Sequence, residues 1–243
     1  MIALFYSVAL CAKEPKEIIE EAIAKQQIEN SVQTIEMTLI SRSGSEQKRV
    51  FEIMIRKDED ALRSYTRFLS PADIKGTQLV SIDRPGKKDP QLLYLPALKR
   101  VQRISGSAQK GSFMGSDFSF SDLELNMADN EIHSLESEDD SWWIIKTVSP
   151  NHKVYSSWSS KISKKDQLPY QIDYYAKNNT LIKSFVVEET KNKDGRIIPV
   201  KTRMKHKKKG SQTILEIQDI RLNVAPQEIP LHIFSPSYME END

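Results

Sequence analysis

Residues 68–125 contain the stretches FLSPADIKGTQLVSI (68–82), LLYLPALKRVQRISG (92–106) and GSFMGSDFSFSDLEL (111–125). The first two are apolar runs typical of strands, with turn residues between them, and the third is an irregular loop rich in Phe and Gly. No group within the segment stands at a spacing that catalysis needs. The segment therefore indicates a curved sheet that covers an apolar interior. It does not indicate an active site.

The flanking sequence repeats the strand pattern. Residues 50–56 (VFEIMIR) place Phe51, Ile53 and Ile55 on one face of a strand, because side chains alternate along it. Turn residues punctuate the chain, notably Asn178-Asn179 and the run 208–211. Further strands are predicted over residues 142–148, 154–162, 170–175, 181–189, 197–207 and 213–222. Many short strands of this kind predict a mainly β (α+β) fold, an antiparallel sheet curled into a barrel or half-barrel.

A helix is predicted before the first strand, over residues 14–30. Its apolar stripe recurs at a period near 3.6 residues and consists of Ile18, Ile19, Ala22, Ile23 and Ile28. Pro15 suits a first helical turn. We expect this helix to lie against the sheet.

Composition limits the classes of function. The chain has 243 residues, enough for one large β domain or two small ones, and 35 Lys+Arg nearly balance 34 Asp+Glu. This balance gives no global attraction to nucleic acid, so no nucleic-acid partner is expected. The single cysteine, Cys11, excludes an intramolecular disulfide and a thiolate metal site.

Residues 1–12 (MIALFYSVALCA) are almost wholly apolar or small, and polarity changes at Lys13. The segment is too short to span a bilayer and resembles the end of a secretory signal without its basic region, which a start further upstream would supply. We expect export, with cleavage after Ala12. Two alternatives stay open: a lipid anchor on Cys11, although residues 8–10 fit a lipobox poorly, and ordinary structure.

The sequence offers no catalytic or metal-binding constellation. Nucleophile-elbow and phosphate-loop motifs are absent. The histidines have no ligand partner at helical spacing; they are His133, His152, His206 and His232. An acidic run before Trp142 is interpreted as a solvated turn rather than a cation site; it consists of Glu136, Glu138, Asp139 and Asp140. We therefore expect no enzyme, metal site or cofactor.

A basic strand carries four cations on one face: Lys201, Arg203, Lys205 and Lys207. Thr202, Met204 and His206 occupy the other face. We interpret the cations as a solvated outer face, and attraction to anionic lipid headgroups or to a membrane partner stays an alternative.

Four large apolar side chains lie in the loop after residue 105: Phe113, Met114, Phe118 and Phe120. Burying each of these side chains stabilises the folded protein by about 1.5–3 kcal/mol, so we expect the loop to pack over another apolar surface. Two interpretations remain open, a permanent plug of the core and a mobile lid over an exchangeable ligand.

Residues 68–77, 93–104 and 112–118 together resemble the outer-membrane lipoprotein-sorting proteins of the LolA-like type, in particular the branch associated with RND-type exporters. The resemblance extends over residues 14–235, with Leu168-Pro169 and the hairpin after it. It implies a single LolA-like half-barrel domain over residues 13–243, an unclosed and strongly curved antiparallel β-barrel with helices and loops on its concave face. It also implies a hydrophobic cavity for acyl chains of lipoproteins or lipids in the Gram-negative periplasm, without catalytic residues or cofactor.

Together with the alternation of the strands, the resemblance predicts two groups of binding residues. The predicted cavity wall comprises Phe51, Ile53, Ile55, Leu79, Leu93, Leu95, Phe185, Val187 and Leu215. The predicted lid comprises Phe113, Met114, Phe118 and Phe120. A register error of one residue would invert the wall.

Two functions follow from this sequence. The first is a periplasmic carrier that delivers lipids or lipoproteins toward the outer membrane, with an RND-type inner-membrane transporter or an outer-membrane acceptor as partner. The second is a non-catalytic periplasmic interaction module that binds a membrane transporter or an envelope-stress regulator.

Overall fold

The computed structural model describes residues 13–84, 87, 90–123, 130–152 and 154–242. The predicted export signal and Cys11 lie outside the described residues. The described chain is mainly β, which confirms the predicted fold class.

A single antiparallel sheet of thirteen strands forms the body of the molecule. Its strands are β1 (Ser31–Ile40), β2 (Glu46–Lys57), β3 (Leu62–Ser70), β4 (Gln78–Asp83), β5 (Gln91–Leu95), β6 (Arg100–Ile104), β7 (Ile132–Glu138), β8 (Trp142–Val148), β9 (Ser157–Ser163), β10 (Pro169–Tyr175), β11 (Leu181–Lys193), β12 (Arg196–His206) and β13 (Ser211–Arg221).

The strand order makes the barrel an open one. It runs β6-β5-β4-β3-β2-β1-β13-β12-β11-β10-β9-β8-β7, so two meanders meet where β1 pairs with β13. Strands β6 and β7 are the two edges, and within the described residues the sheet does not close between them. The predicted unclosed, curved barrel is confirmed.

The N-terminal helix α1 (Pro15–Gln26) begins at the predicted proline and ends before the predicted residue 30. Ile18, Ile19 and Ala22 are buried and pack on Ile145 of β8 and Ile162 of β9. The helix therefore lies against the sheet, as its apolar stripe predicted.

One strand contradicts the sequence analysis. Glu136 and Glu138 belong to β7, so their interpretation as part of a solvated turn is wrong. β7 is an edge strand with mostly exposed side chains, so it needs no apolar alternation. Asp139 does form the turn after it and accepts hydrogen bonds from the Ser141 and Trp142 amides, each at 2.8 Å.

Strand β12 divides its faces as predicted. Met204 is buried, while Arg203 and Lys201 point outward and pair with acids of neighbouring strands. Lys201 Nζ lies 3.4 Å from Glu216 Oε2 on β13, and Arg203 pairs with Glu188 on β11. These pairs agree with a solvated outer face.

The last residues cover the outer face of β3, β4 and β5. We call residues 226–242 the C-terminal segment; it contains the 3₁₀ turns Pro226–Glu228 and Leu231–Phe234 and the helix α2 (Pro236–Glu241). Ile229 and Met239 are completely buried there, against Tyr65, Val80 and Tyr94. The alternate positions Leu79 and Leu93 point to the opposite face, which we call the inner face.

Candidate ligand-binding cavity

Cross-strand register brings the predicted wall residues onto the inner face. Thr66 of β3 pairs with Ile53 of β2 and with Leu79 of β4, and Leu79 pairs with Leu93 of β5. These four residues form one row across the strands. The next row contains Ile55, Ser64 and Ser81, and Gln91 of β5 donates a hydrogen bond to Ser81 Oγ at 3.3 Å. Leu215 pairs with Thr202 of β12, which in turn pairs with Val187. Each row is therefore continuous across neighbouring strands.

The inner face encloses a cavity of about 240 Å³. Its lining is mostly apolar and consists of Met37, Phe51, Ile53, Ser64, Thr66, Leu79, Ser81, Phe113, Phe118, Asp122, Leu123 and Leu215. Apolar pockets with a few polar groups are the usual form of a small-molecule site. This cavity is the candidate functional site.

The predicted wall residues occupy three kinds of position. Four of them line the cavity: Phe51, Ile53, Leu79 and Leu215. Leu93, Leu95 and Phe185 lie beside it, in the same inner apolar cluster. Val187 is buried and Ile55 half-buried on the same face, but neither lines the cavity.

The predicted lid is part of a chain segment that leaves edge strand β6 and crosses the inner face. We call residues 105–123 the crossing segment. Phe113 and Phe118 line the cavity, Phe120 is buried beside it, and Met114 is half-buried. The rings of Phe51, Phe68 and Phe113 contact one another in sequence, with centroids 5.3 and 5.8 Å apart. The segment thus covers the cavity without filling it.

Asp117 anchors the middle of the crossing segment to β13. Its carboxylate accepts hydrogen bonds from Ser211 Oγ at 2.6 Å and Thr213 Oγ1 at 2.9 Å. Its own amide donates to Thr213 Oγ1 at 2.9 Å. Asp117 and Thr213 are buried, so this anchor is shielded from water.

Asp122 anchors the end of the crossing segment to the other half of the sheet. Its carboxylate accepts from Tyr155 Oη at 2.9 Å and from Lys183 Nζ of β11 at 3.1 Å. The two charged side chains are 6% and 8% exposed. Burial, and then the neighbouring Asp122 carboxylate, raise the pKa of Tyr155, which holds its hydroxyl as a donor.

Two further contacts hold the crossing segment to the first half of the sheet. Arg49 of β2 donates to the carbonyl oxygen of Met114, and burial lowers the pKa of Arg49. Gln91 of β5 donates through Nε2 to the Phe120 carbonyl at 3.0 Å. Polar anchors on β2, β5, β11 and β13 therefore surround an apolar interior.

The polar groups of the site were not predicted. Asp117 and Asp122 belong to a loop in which the sequence indicates a role only for the apolar residues. Ser64 and Thr66 share the inner face with Phe68. Two small polar residues on an otherwise apolar strand face are a sequence pattern that could have indicated polar groups in the site.

The described part of the chain holds no group of three or more His, Cys, Asp or Glu side chains that could bind a metal ion. Within the same residues, no helix is both long and apolar enough to cross a membrane.

The fold and site define a class of protein, an open antiparallel β-barrel with an apolar cavity beneath a crossing segment. A family model described as "Uncharacterized protein" matches residues 60–241, and the chain belongs to that family. No curated protein sequence matches the chain.

Solved structures share the fold over nearly the whole chain. An outer membrane lipoprotein-sorting protein domain from Vibrio parahaemolyticus superimposes with a TM-score of 0.81 at 24% identity and covers 92% of this chain and 97% of its own. A DUF1329 family protein from Desulfovibrio piger gives 0.81 at 25% identity, with 93% and 100% covered. A LolA superfamily protein from Nitrosomonas europaea gives 0.72 at 18% identity, with 93% and 100% covered. The predicted resemblance to LolA-like lipoprotein-sorting proteins is confirmed by these folds.

Proposed function

We propose that the protein is a non-enzymatic carrier in the periplasm that binds an acyl chain of a lipid or lipoprotein in the inner-face cavity. The observation that supports the proposal is an apolar cavity of about 240 Å³ under a segment anchored by polar contacts. Delivery toward the outer membrane would involve an RND-type inner-membrane transporter or an outer-membrane acceptor. Residues 13–243 would act as one domain after export.

The cavity volume limits what the present conformation can hold. A methylene occupies about the volume of a water molecule, roughly 30 Å³, so the cavity accommodates about eight methylenes. Their transfer from water is worth about 0.8 kcal/mol each, or roughly 6 kcal/mol before entropic costs. A longer chain would extend through the open side of the cavity or displace Phe113 and Phe118, the crossing-segment rings that line it.

Filling the cavity tests the proposal directly. In the Ile53→Trp variant the indole occupies space that the acyl chain needs, and we expect at least about tenfold weaker displacement of a fluorescent fatty acid by unlabelled fatty acid. Leu69→Trp is the control, because Leu69 is 43% exposed and does not line the cavity. Thermal unfolding of both variants checks that each one folds.

The wild-type protein provides the deciding measurement. Native mass spectrometry and organic extraction after expression in a membrane-containing host should show co-purified lipid or bound added fatty acid. A clean apo mass, with no fatty-acid displacement, would contradict the carrier and favour the non-catalytic module that binds a transporter or an envelope-stress regulator.

A further inference from the structure

Three hydroxyl side chains stand together on the inner wall of the cavity. Ser64 and Thr66 belong to β3, and Ser81 lies opposite Ser64 on β4. Residues two apart on a strand lie roughly 6.6 Å from each other, and directly opposed pairs have Cβ atoms about 5 Å apart. The three hydroxyls therefore form a compact polar band on an apolar surface.

Two of these hydroxyls have no hydrogen-bond partner among the described residues. Within the described residues, neither Ser64 Oγ nor Thr66 Oγ1 makes a hydrogen bond, although the residues are only 7% and 5% exposed. Neither oxygen is among the fully buried atoms without a partner, so both hydroxyls are accessible from the cavity. A hydroxyl that loses water without gaining another partner costs about 1–3 kcal/mol, so an occupant that displaces water here must replace those hydrogen bonds. Both residues line the cavity, so whatever occupies the cavity is in position to be that partner.

The third hydroxyl is oriented by its neighbour. Gln91 Nε2 donates to Ser81 Oγ at 3.3 Å, which leaves the Ser81 proton available for an acceptor in the cavity. Gln91 is itself held by the Phe120 carbonyl of the crossing segment. The polar band can therefore supply hydrogen-bond donors to an occupant.

The charges around the cavity restrict the acceptor. Among the described residues that line the cavity there is no Lys or Arg, and the one carboxyl group, that of Asp122, already accepts hydrogen bonds from Tyr155 and Lys183. A phosphate or carboxylate in the cavity would lie beside that carboxylate without a cation of its own, which is costly in an apolar site. A neutral oxygen acceptor meets the donors without this cost.

We propose that the band of Ser64, Thr66 and Ser81 binds the carbonyl oxygen of an acyl ester, so that the cavity takes the acyl chain together with its ester carbonyl and leaves charged headgroup atoms outside. The inference rests on the proposed acyl-binding function and specifies its ligand class. It distinguishes an esterified chain from a bare hydrocarbon tail and from a free fatty acid.

Matched ligands and variants test the assignment. Methyl octanoate and octyl methyl ether have similar chains and differ in the carbonyl, and their affinities can be compared by displacement of a fluorescent probe from the full-length protein. We expect the ester to bind about fivefold to tenfold more tightly than the ether, because each neutral hydrogen bond contributes about 1 kcal/mol. Octanoate at neutral pH should bind more weakly than the ester.

Removing a hydroxyl without changing shape should abolish the preference. Thr66→Val and Ser64→Ala should each weaken ester binding about fivefold and leave ether binding unchanged or stronger. Thr38→Val, on the outer face of β1, is the control and should leave both ligands unaffected.

Three results would overturn the inference. Equal affinity of the wild type for ester and ether would refute the carbonyl site while acyl binding itself stands. Variants that weaken both ligands equally would show a general packing effect. If the wild type bound neither ligand nor the probe, the proposed function would fail, and the carbonyl site with it.

Discussion

Two irregular segments cover opposite faces of strands β3, β4 and β5. The crossing segment lies on the inner face above a cavity of about 240 Å³, and the C-terminal segment packs on the outer face with Ile229 and Met239 completely buried. Both segments contain short 3₁₀ turns, and the C-terminal segment adds the helix α2. They differ in what holds each one to the sheet.

The C-terminal segment is held mainly by apolar packing and by bonds to its backbone carbonyls. Gln78 Nε2 donates to the Met239 carbonyl at 2.9 Å, and Arg56 Nη1 to the Ile229 carbonyl at 2.8 Å. The carboxylates of Glu228 and Glu240 in the C-terminal segment make only exposed contacts, with Arg221 and with the Val101 amide. The crossing segment instead has two buried carboxylate anchors, Asp117 and Asp122. Hydrogen bonds exchange with water at a net cost of about 1 kcal/mol each, whereas lost packing has no such substitute. Both covers bury aromatic rings, Phe234 in the C-terminal segment and Phe113, Phe118 and Phe120 in the crossing segment, so the difference between them lies in the buried carboxylate anchors.

The largest expected effect tests the permanence of the outer cover. Phe234→Ala removes a buried ring from the C-terminal segment and should lower the free energy of unfolding in urea by about 3–5 kcal/mol. The exposed neighbour Leu231 gives the control, since Leu231→Ala should change it by less than about 0.5 kcal/mol. Similar losses in the two variants would show that this cover is not core.

A smaller effect should appear when an anchor of the inner cover is removed. Asp122→Asn leaves the Lys183 ammonium buried without its carboxylate, at a cost of about 3 kcal/mol. We expect this cost to appear as local opening of the crossing segment. The measurement is hydrogen exchange of the Phe113 amide, which donates to the Phe118 carbonyl at 2.8 Å and should exchange faster in the variant. The double variant with Lys183→Met should recover part of the protection.

A uniform result would refute this difference between covers. If Asp122→Asn accelerated exchange in the C-terminal segment as much as at Phe113, the crossing segment would not open separately. Asp219→Asn, at an exposed position on β13, is the matched control and should alter neither region.

The smallest expected effect concerns α1, the other cover of the inner face. His133 of β7 is buried near α1; its Nδ1 lies 2.9 Å from Thr147 Oγ1, and its Nε2 makes no hydrogen bond within the described residues. Burial, and then the positive charge of Lys16, lower the pKa of His133. Glu20 on α1 opposes this shift. The Glu131 carboxylate lies 3.9 Å from Nε2.

The sign of the pH effect follows from the lowered pKa. The unfolded chain binds the proton near pH 6.5, before the folded protein does, so stability falls as pH drops below about 6.5. The free energy of unfolding, measured by urea titration, should fall between pH 7.5 and 5.5 by up to about 1 kcal/mol less in His133→Gln than in the wild type. The pKa of His206 is also lowered, but it titrates in both proteins and cancels in the difference. An unchanged slope would exclude His133 as a contributor.

Most of the fold could be predicted because its causes are local. Alternation over residues 50–56 placed Phe51 and Ile53 on the inner face, and the 3.6-residue stripe placed Ile18 and Ile19 on the sheet. β7 could not be predicted this way, since six of its seven residues are exposed and no apolar alternation marks the strand. Its existence depends on β8 as a neighbour, which is a tertiary cause.

The apolar part of the site could be predicted, and the polar part could not. Phe113 and Phe118 were recognisable because burial of large apolar groups is nearly obligatory. Asp117 and Asp122 have no such signature, because their partners Thr213 and Lys183 lie far along the chain. Sequence alone indicates that a loop covers something, whereas the fold reveals how it is fastened.

The order of strands in the sheet also affects how the molecule can move. The chain leaves the sheet at edge strand β6 and re-enters it at the opposite edge, β7, while the first and last strands, β1 and β13, pair near the middle. The crossing segment, which covers the cavity, is therefore part of the covalent connection between the edge strands β6 and β7. A change in the separation of β6 and β7 is therefore coupled through the covalent chain to the segment that covers the cavity.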